Sequence, residues 1–185
     1  MYLRLLAHHS TKHSHKTPTF TPTLTSTFNN SDTMAEPFDP NTAGNAEEIE
    51  MQFAVKTVEH LEAYEKILQT IPPKLIKFTP IDDELHTNLL DEFPEFKFEE
   101  NLRELNEDDM KSAKGKERWR RFIMPYEKRV TDYNFGTLIR RRSDELYTED
   151  NSILLTRVQF FAIEIARNRA GLNEAVYLAA QAKKA

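Results

Sequence analysis

Few residues in this chain are suited to catalysis, and those few are far apart. Behind residue 33 the sequence has two histidines, His60 and His86, and three serines at 112, 143 and 152. No serine lies in the Gly-x-Ser-x-Gly turn of a hydrolase, and no histidine pair has metal-ligand spacing. A serine triad stays open as an alternative, because its members meet in space. We predict no catalytic residue and no metal site.

Paired acids and glycines are the remaining features that could indicate an enzyme. Asp82–Asp83 and Asp108–Asp109 could serve acid–base chemistry, but their position at predicted helix starts already explains them. The four glycines lie at 44, 115, 136 and 171, so neither a phosphate-binding loop nor a dinucleotide-binding motif fits. The chain also has no cysteine. We therefore predict that the protein binds no cofactor and is not an enzyme.

Charge is divided into two consecutive blocks. Residues 82–109, the acidic segment, hold twelve acids and two bases, whereas residues 111–142, the basic segment, hold eleven bases and three acids. Such blocks can attract a partner of opposite charge, or they can pack against each other and neutralise internally. The basic segment includes Trp119 and Tyr126, but we expect both rings to be buried, which would leave no stacking surface for RNA.

Hydrophobic spacing predicts helices as the elements that position these residues. Helices are expected over about 46–69, from 81 to 93, from 106 onward with a kink at Pro125, over 151–168, and after Asn173. Gly171 is expected to cap the C-terminus of the helix over 151–168. We find no alternation of period two long enough for a sheet. The predicted fold is all-α, a compact orthogonal bundle of five or six helices.

The N-terminal segment differs from the rest in composition. Residues 1–33 are rich in threonine, contain four of the six histidines and carry a single acid, Asp32. We predict a disordered extension over residues 1–35 and a single helical domain over 36–185. A mitochondrial transit peptide is an alternative, since Arg4, Lys12 and Lys16 accompany many hydroxyls. No stretch reaches the ~20 apolar residues of a membrane span, so we expect a soluble, cytoplasmic protein without a membrane partner.

The most unusual local sequence, residues 132–140 (DYNFGTLIR), combines aromatic rings, an amide, a glycine and Arg140. Gly136 can adopt a positive φ without steric cost. One interpretation is structural, with Asn134 and Gly136 ending a helix and Phe135 filling the core. The other is an exposed aromatic anchor beside Arg140, of the kind that protein interfaces favour.

Four segments together resemble the eukaryotic family called polysaccharide-biosynthesis-domain-containing protein 1. They are residues 41–55 (NTAGNAEEIEMQFAV), 116–122 (KERWRRF), 132–140 (DYNFGTLIR) and 157–173 (RVQFFAIEIARNRAGLN). Their order matches the family, and the similarity extends over roughly residues 36–176. The resemblance implies a small helical cytosolic chaperone that binds newly made translation elongation factor 1A. It implies contact with the GTP-binding domain of that factor and help with its folding until nucleotide is bound.

Partner contacts are predicted from these family-like segments, where the chosen residues are expected to be partly exposed, and from the start of the acidic segment. The predicted partner-binding residues are Tyr133, Asn134, Phe135, Gly136, Arg140, Arg167, Asn168, Asp82, Asp83 and Glu84. For Arg167 and Asn168, capping of a helix C-terminus is an equally good interpretation. The acidic segment is expected to meet basic client surface, with ribosome or nascent-chain factors as further partners and no specific nucleic acid. The alternatives are a methyl-transferring enzyme of polysaccharide modification, as the family name suggests, and a ribosome-associated RNA-binding module.

Overall fold

The computed structural model describes residues 43–184, with side chains from residue 48 onward. The predicted disordered extension over residues 1–35 lies outside this range. Residues 53–184 pack as one compact unit, to which all contacts described below belong. Residues 43–52 form the first turns of the first helix.

Helices dominate the described part of the chain. The α-helices are α1 (Ala43–Thr70), α2 (Asp82–Glu92), α3 (Glu99–Arg103), α4 (Glu107–Lys111), α5 (Ala113–Ile123), α6 (Arg157–Arg169) and α7 (Glu174–Ala182). Short 3-10 turns lie at Pro73–Leu75, Pro94–Lys97 and Met124–Tyr126. Two strands, β1 (Gly136–Arg140) and β2 (Ser152–Thr156), complete the fold.

The two strands overturn the all-α prediction. They form an antiparallel sheet in which Gly136 pairs with Thr156 and Arg140 pairs with Ser152. Strand β1 is buried at its last four positions, so both faces are covered and no alternation of polar and apolar residues is needed. The fold is thus mainly helical with one two-stranded sheet.

The helix predicted over 151–168 begins later than its hydrophobic spacing indicated. In β2, Ile153 and Leu155 are buried while Leu154 is 46% exposed, so burial alternates although the sequence is continuously apolar. A short apolar run of this kind cannot be assigned to helix or strand by periodicity alone. The side-chain oxygen of Gln159 accepts a hydrogen bond from the backbone N–H of Thr156 at 2.9 Å and fixes the start of α6 at residue 157.

The predicted kink at Pro125 is instead the end of a helix. Helix α5 stops at Ile123, and residues 124–126 form a separate 3-10 turn. Proline has no N–H to donate and crowds the preceding turn, so it suits the start of a new turn better than a helix interior. The predicted burial of Trp119 and Tyr126 is confirmed, and Phe122 and Val130 are buried as well.

Helix α6 lies at the centre of the core. Ten of its thirteen residues are buried, and it packs against α2, α3, α5 and both strands. Phe160 and Tyr64 meet edge to face with ring centroids 4.9 Å apart, which links α6 to α1. A helix buried on nearly all sides must also bury its polar residues, and α6 carries Glu164, Arg167 and Asn168 inward.

Candidate functional site

The interior of the protein contains a fully buried carboxylate, Glu164. Its Oε1 lies 2.8 Å from Nη1 of Arg167, and its Oε2 lies 3.4 Å from Nη2 of Arg140. Oε2 also accepts hydrogen bonds from the hydroxyl of Tyr64 at 2.6 Å and from Nδ2 of Asn173 at 2.8 Å. These five residues, which we call the Glu164 cluster, join helix α1, strand β1, helix α6 and the start of helix α7.

Backbone carbonyls satisfy most of the remaining guanidinium N–H groups. Arg167 donates to the carbonyls of Leu102, Arg140 and Arg141 at 2.8–2.9 Å. Arg140 donates to the carbonyl of Ser143 at 2.6 Å. A buried charge is tolerated only when it is paired and hydrogen-bonded, and these contacts satisfy both guanidiniums except for Nε of Arg140, which has no acceptor among the described residues. The arginines therefore hold the segments around residues 102 and 140–145 against α6.

The charge state of the cluster follows from its surroundings. Burial by itself opposes ionisation of Glu164, but the guanidiniums of Arg140 and Arg167 hold the pKa of Glu164 below its ordinary value of 4.5. Burial and the neighbouring carboxylate raise the pKa of the Tyr64 hydroxyl well above its ordinary range. Tyr64 thus stays protonated and acts as a hydrogen-bond donor. The cluster is an ionised carboxylate between two cations.

Three of the predicted partner-binding residues belong to this interior. Arg140 and Arg167 are completely buried and Asn168 is 3% exposed, so the expectation that they would be partly exposed is wrong. The expectation failed because α6, which carries Arg167 and Asn168, is covered on nearly every side, and because Arg140 lies on the buried strand β1. The alternative role of Arg167 at a helix C-terminus agrees with one of its contacts, because the carbonyl of Leu102 lies in the last turn of helix α3. Its other two carbonyl partners, Arg140 and Arg141, lie outside helices. Whether any of the ten predicted residues contacts a partner stays a prediction.

The turn at residues 133–136 presents one exposed side chain. Asn134 is exposed, whereas Tyr133 and Phe135 are half-buried. The ring of Phe135 packs 5.2 Å from the ring of Phe53 and 5.3 Å from the guanidinium of Arg157. Gly136 starts β1 instead of ending a helix, and a Cβ there would lie 2.4 Å from Cζ of Phe53. The turn therefore has a structural role in attaching α1 to the sheet.

The three acids at the start of α2 are largely engaged within the protein. Both carboxylate oxygens of Asp82 accept hydrogen bonds, from the backbone N–H groups of Phe78 and Thr79 at 3.0 and 2.8 Å. Glu84 pairs with both terminal nitrogens of Arg129. Asp83 pairs with Arg169 but its side chain is 97% exposed. Of the three, Asp83 is the acid most available to a partner.

The acidic and basic segments pack against each other, as one of the two interpretations predicts. Their ion pairs are Lys111 with Glu107, Arg118 with Glu92 and Glu95, Arg121 with Glu92, Arg129 with Glu84, and Arg141 with Glu104. Trp119 and Tyr126 are 3% and 1% exposed, as predicted, so neither ring offers a stacking surface for a base. Part of the charge that could steer a partner is thereby neutralised within the molecule.

A cleft of about 460 Å³ lies where the 3-10 turn at Pro73–Leu75 and the start of α2 meet the end of α6. We call it the Asn168 cleft. Its lining residues are Pro73, Lys74, Ile76, Lys77, Thr79, Pro80, Asp82, Asp83, Ile165, Asn168 and Arg169. Its volume falls in the range of ~300–1,000 Å³ that is typical of ligand sites. The cleft brings together Asp82, Asp83 and Asn168, three residues predicted from distant parts of the sequence.

Sequence reasoning missed Glu164, Tyr64 and Asn173. A signal was present for Glu164, because an acid followed three residues later by Arg167 interrupts an otherwise apolar stretch (FFAIEIA). Asn173 does precede α7 as predicted, but its side chain makes no capping hydrogen bond and turns to Glu164 and Asn168. Tyr64 gave no signal, because an aromatic residue on an apolar helix face is normally core.

These features define a class of protein: a small, mainly helical domain with one short sheet, organised around a buried carboxylate held by two arginines. The sequence model of the family described as PBDC1 protein matches residues 49–178. The chain belongs to the PBDC1 family. The predicted membership is thereby confirmed.

Individual relatives are similar in sequence to this chain over more than half of their own lengths. The Protein PBDC1 homolog of Schizosaccharomyces pombe is 49% identical over 141 residues, 76% of this chain and 96% of that protein. The homolog of Saccharomyces cerevisiae is 43% identical over 137 residues, 74% of this chain and 94% of that protein. Protein PBDC1 of Homo sapiens is 39% identical over 141 residues, 76% of this chain and 59% of the human protein.

A solved structure has a similar fold. The solution NMR structure of a Saccharomyces cerevisiae protein superposes with a TM-score of 0.67 at 42% sequence identity, covering 76% of this chain and 96% of that one.

Within residues 43–184, no helix combines the length and the apolar character that crossing a bilayer requires.

Proposed function

We propose that this protein is a chaperone that binds newly synthesised translation elongation factor 1A, at its GTP-binding domain, and assists its folding in the cytoplasm. In this proposal the protein acts by binding, without catalysis and without a cofactor. Family membership supports it together with the four family-like segments, which resemble proteins for which this activity is expected. Ribosome or nascent-chain factors are further candidate partners.

The observation that carries the proposal is an exposed apolar surface beside the Asn168 cleft. Leu75 is 70% exposed, Leu178 60% and Ile71 40%. Their elements are neighbours, because Lys74 pairs with Glu174 at 3.1 Å and Gln181 donates to the carbonyl of Gln69 at 2.8 Å. Exposed apolar side chains in proximity are typical of protein interaction sites. We call Ile71, Leu75 and Leu178 the Leu75 surface.

Asp83 adds one acid to this part of the molecule. It lines the Asn168 cleft and is almost fully exposed. We therefore narrow the hypothesis that the acidic segment meets basic client surface to Asp83, whose carboxylate pairs with Arg169 but is the most exposed of the three. A segment of incompletely folded client with apolar residues and a base matches the Leu75 surface and Asp83 together.

The proposed mechanism is thermodynamic. A protein that binds a near-native form of the client and not its unfolded form raises the population of that form by mass action. Covering apolar client surface also removes it from aggregation. Release follows when GTP binding orders the switch segments of the client and removes the surface that the chaperone holds.

The test is a pull-down of the protein from cells translating normally, with and without a translation inhibitor. We expect recovery of elongation factor 1A only during translation, and loss of that recovery in the variant Leu75→Asp/Leu178→Asp. The matched control is Leu146→Asp, which alters a leucine that is 41% exposed outside the Leu75 surface. Equal recovery by all three proteins, or recovery that is independent of translation, would contradict the proposal.

The two alternatives give different results in simple assays. An enzyme of methyl transfer would bind a labelled methyl donor saturably. An RNA-binding module would bind RNA with an affinity that falls steeply with salt. Either result, in the absence of translation-dependent capture, would replace the proposed function.

A further inference from the structure

Asn168 lines the Asn168 cleft, and the orientation of its side-chain amide is fixed. Oδ1 of Asn168 accepts a hydrogen bond from Nδ2 of Asn173 at 2.7 Å, and Asn173 is held in turn by Glu164 and Arg140. This contact assigns Nδ2 of Asn168 to the opposite side. Nδ2 is buried and has no acceptor in the part of the chain that the structure describes. A buried donor without an acceptor costs free energy, which an acceptor supplied by a ligand would recover.

Both acids of the cleft already have partners within the protein, and the lining groups that lack a partner among the described residues are donors. Asp82 accepts two backbone N–H groups and Asp83 pairs with Arg169. Lys77 is exposed, and within residues 43–184 no carboxylate lies within ion-pair distance of its Nζ. Lys77 and Asn168 line the same cleft. An ammonium group and an amide N–H at one site favour an acceptor that carries negative charge.

The remaining lining of the cleft is mixed, with Lys74, Thr79 and Arg169 beside four apolar residues. The apolar residues are Pro73, Ile76, Pro80 and Ile165, and Ile76 directly follows Leu75 of the Leu75 surface. A ligand that uses both the donors and the apolar residues combines a carboxylate with apolar groups. A polypeptide segment with an acidic side chain between apolar residues has this composition, and it could extend from the cleft onto the Leu75 surface.

We propose that the Asn168 cleft binds the carboxylate of an aspartate or glutamate side chain in an apolar segment of the client polypeptide, with Asn168 and Lys77 as donors. This inference rests on the proposed function, since it assigns the cleft to the client. It adds the chemical class of the client segment and the two side chains that select it.

The test uses the full-length, isotope-labelled protein and three probes: a capped peptide Ala-Leu-Glu-Leu-Ala, the same peptide with Gln for Glu, and acetate. We expect the Glu peptide to shift the side-chain amide resonance of Asn168 and to bind about tenfold more tightly than the Gln peptide, because a charged hydrogen bond is lost. Lys77→Met is expected to reduce Glu-peptide binding to the level of the Gln peptide. The matched control, Lys66→Met, alters an exposed lysine of α1 that does not line the cleft.

Several outcomes would overturn the proposal. Equal binding of the two peptides, an unchanged Asn168 amide resonance, or full binding by Lys77→Met would each exclude the cleft as a carboxylate site. Acetate bound as tightly as the Glu peptide would show a site for small carboxylates instead. Lys77→Met is expected to fold like the unchanged protein, because the side chain of Lys77 is exposed, so its result decides.

The two proposals can fail separately. A protein that captures newly made elongation factor but discriminates neither peptide retains the proposed function and loses the cleft assignment. A protein that selects the Glu peptide but captures no elongation factor during translation loses the proposed function, and the assignment of the peptide to that client falls with it.

Discussion

Arg167 and Glu164 form a salt bridge of 2.8 Å within one turn of helix α6, and neither side chain is accessible to solvent. Salt bridges at this spacing are common on helix surfaces, where they contribute a few tenths of a kcal/mol. In the interior the pair instead allows the segments around residues 102 and 141 to be buried against α6. Backbone carbonyls of Leu102 and Arg141 accept the remaining hydrogen bonds of Arg167.

Glu164→Gln is expected to destabilise the protein strongly. The substitution preserves the size of the side chain but leaves Arg140 and Arg167 buried without a counter-charge, which typically costs about 3–5 kcal/mol. Urea unfolding at neutral pH measures the change. Glu174→Gln is the control, because its pair with Lys74 is exposed and contributes roughly 0–1 kcal/mol. Equal losses for the two variants would contradict the central role of Glu164.

Stability is expected to fall on acidification in two steps. Burial lowers the pKa of both histidines, and the nearby cations lower it further, Arg157 for His60 and Arg169 for His86. The unfolded chain therefore takes up protons before the folded protein does as pH falls below 6.5. The pKa of Glu164 is also lowered in the folded state, so its contribution is present above about 4.5 and is lost as pH falls through its folded pKa.

Urea unfolding between pH 8 and 3.5 measures both steps. The variant His60→Gln/His86→Gln should lose the upper step and retain the lower one. A free energy of unfolding that rises as the pH falls from 6.5 to 4.5 would refute the assignment of the upper step to the two histidines. Carbon NMR of the Glu164 carboxyl provides a direct check, and titration above 4.5 would refute its lowered pKa.

Gly115→Ala is expected to destabilise the protein, although glycine usually stabilises a helix less than alanine does. A Cβ at residue 115 would lie 2.1 Å from the carbonyl oxygen of Asp109 and 2.8 Å from that of Met110. Both atoms belong to backbone and cannot move away cheaply, so a loss of about 1–3 kcal/mol is expected. Thermal unfolding measures it beside Lys116→Ala, an exposed neighbour. A gain in stability would show that α4 and α5 can separate.

Arg118 should be the most important cation of the surface network. It binds both carboxylate oxygens of Glu95, at 2.6 and 2.9 Å, and its guanidinium lies 4.4 Å from the centre of the Phe93 ring, which stacks on Trp119. A double-mutant cycle between Arg118→Ala and Glu95→Ala should give a coupling of about 0.5–1 kcal/mol. Arg118→Lys should not restore it, since lysine lacks the planar fork. Full restoration by lysine would show that charge alone matters.

The sequence predicted the elements whose cause is local. Trp119 and Tyr126 are buried as expected, and Asn106 caps a helix by accepting a hydrogen bond from the N–H of Asp109. Gly171 follows α6 with a φ of 74°, as a C-terminal cap should. Each of these signals depends on residues within a few positions of one another.

Features that depend on distant residues were not predictable in the same way. Leu154 was placed on a helix face, but pairing with Leu138 draws it into a strand. Arg140 and Asn168 were expected at the surface because nothing in the sequence shows that Glu164 and Asn173 will lie beside them. The Asn168 cleft likewise joins residues 73–83 to residues 165–169. Two of its charged members, Asp82 and Asp83, were found only because they also form a helix start.

The separation of Tyr64 and Glu164 by 100 positions has a consequence for biosynthesis. Their hydrogen bond, and that of Asn173 to the same carboxylate, cannot form until almost the whole chain has been made. Until then, Arg140, Arg167 and Glu164 remain hydrated, although the folded protein buries them, and the surrounding apolar residues cannot pack around them. We therefore expect this domain to acquire its native packing as one late event after translation, and not progressively from its N-terminus.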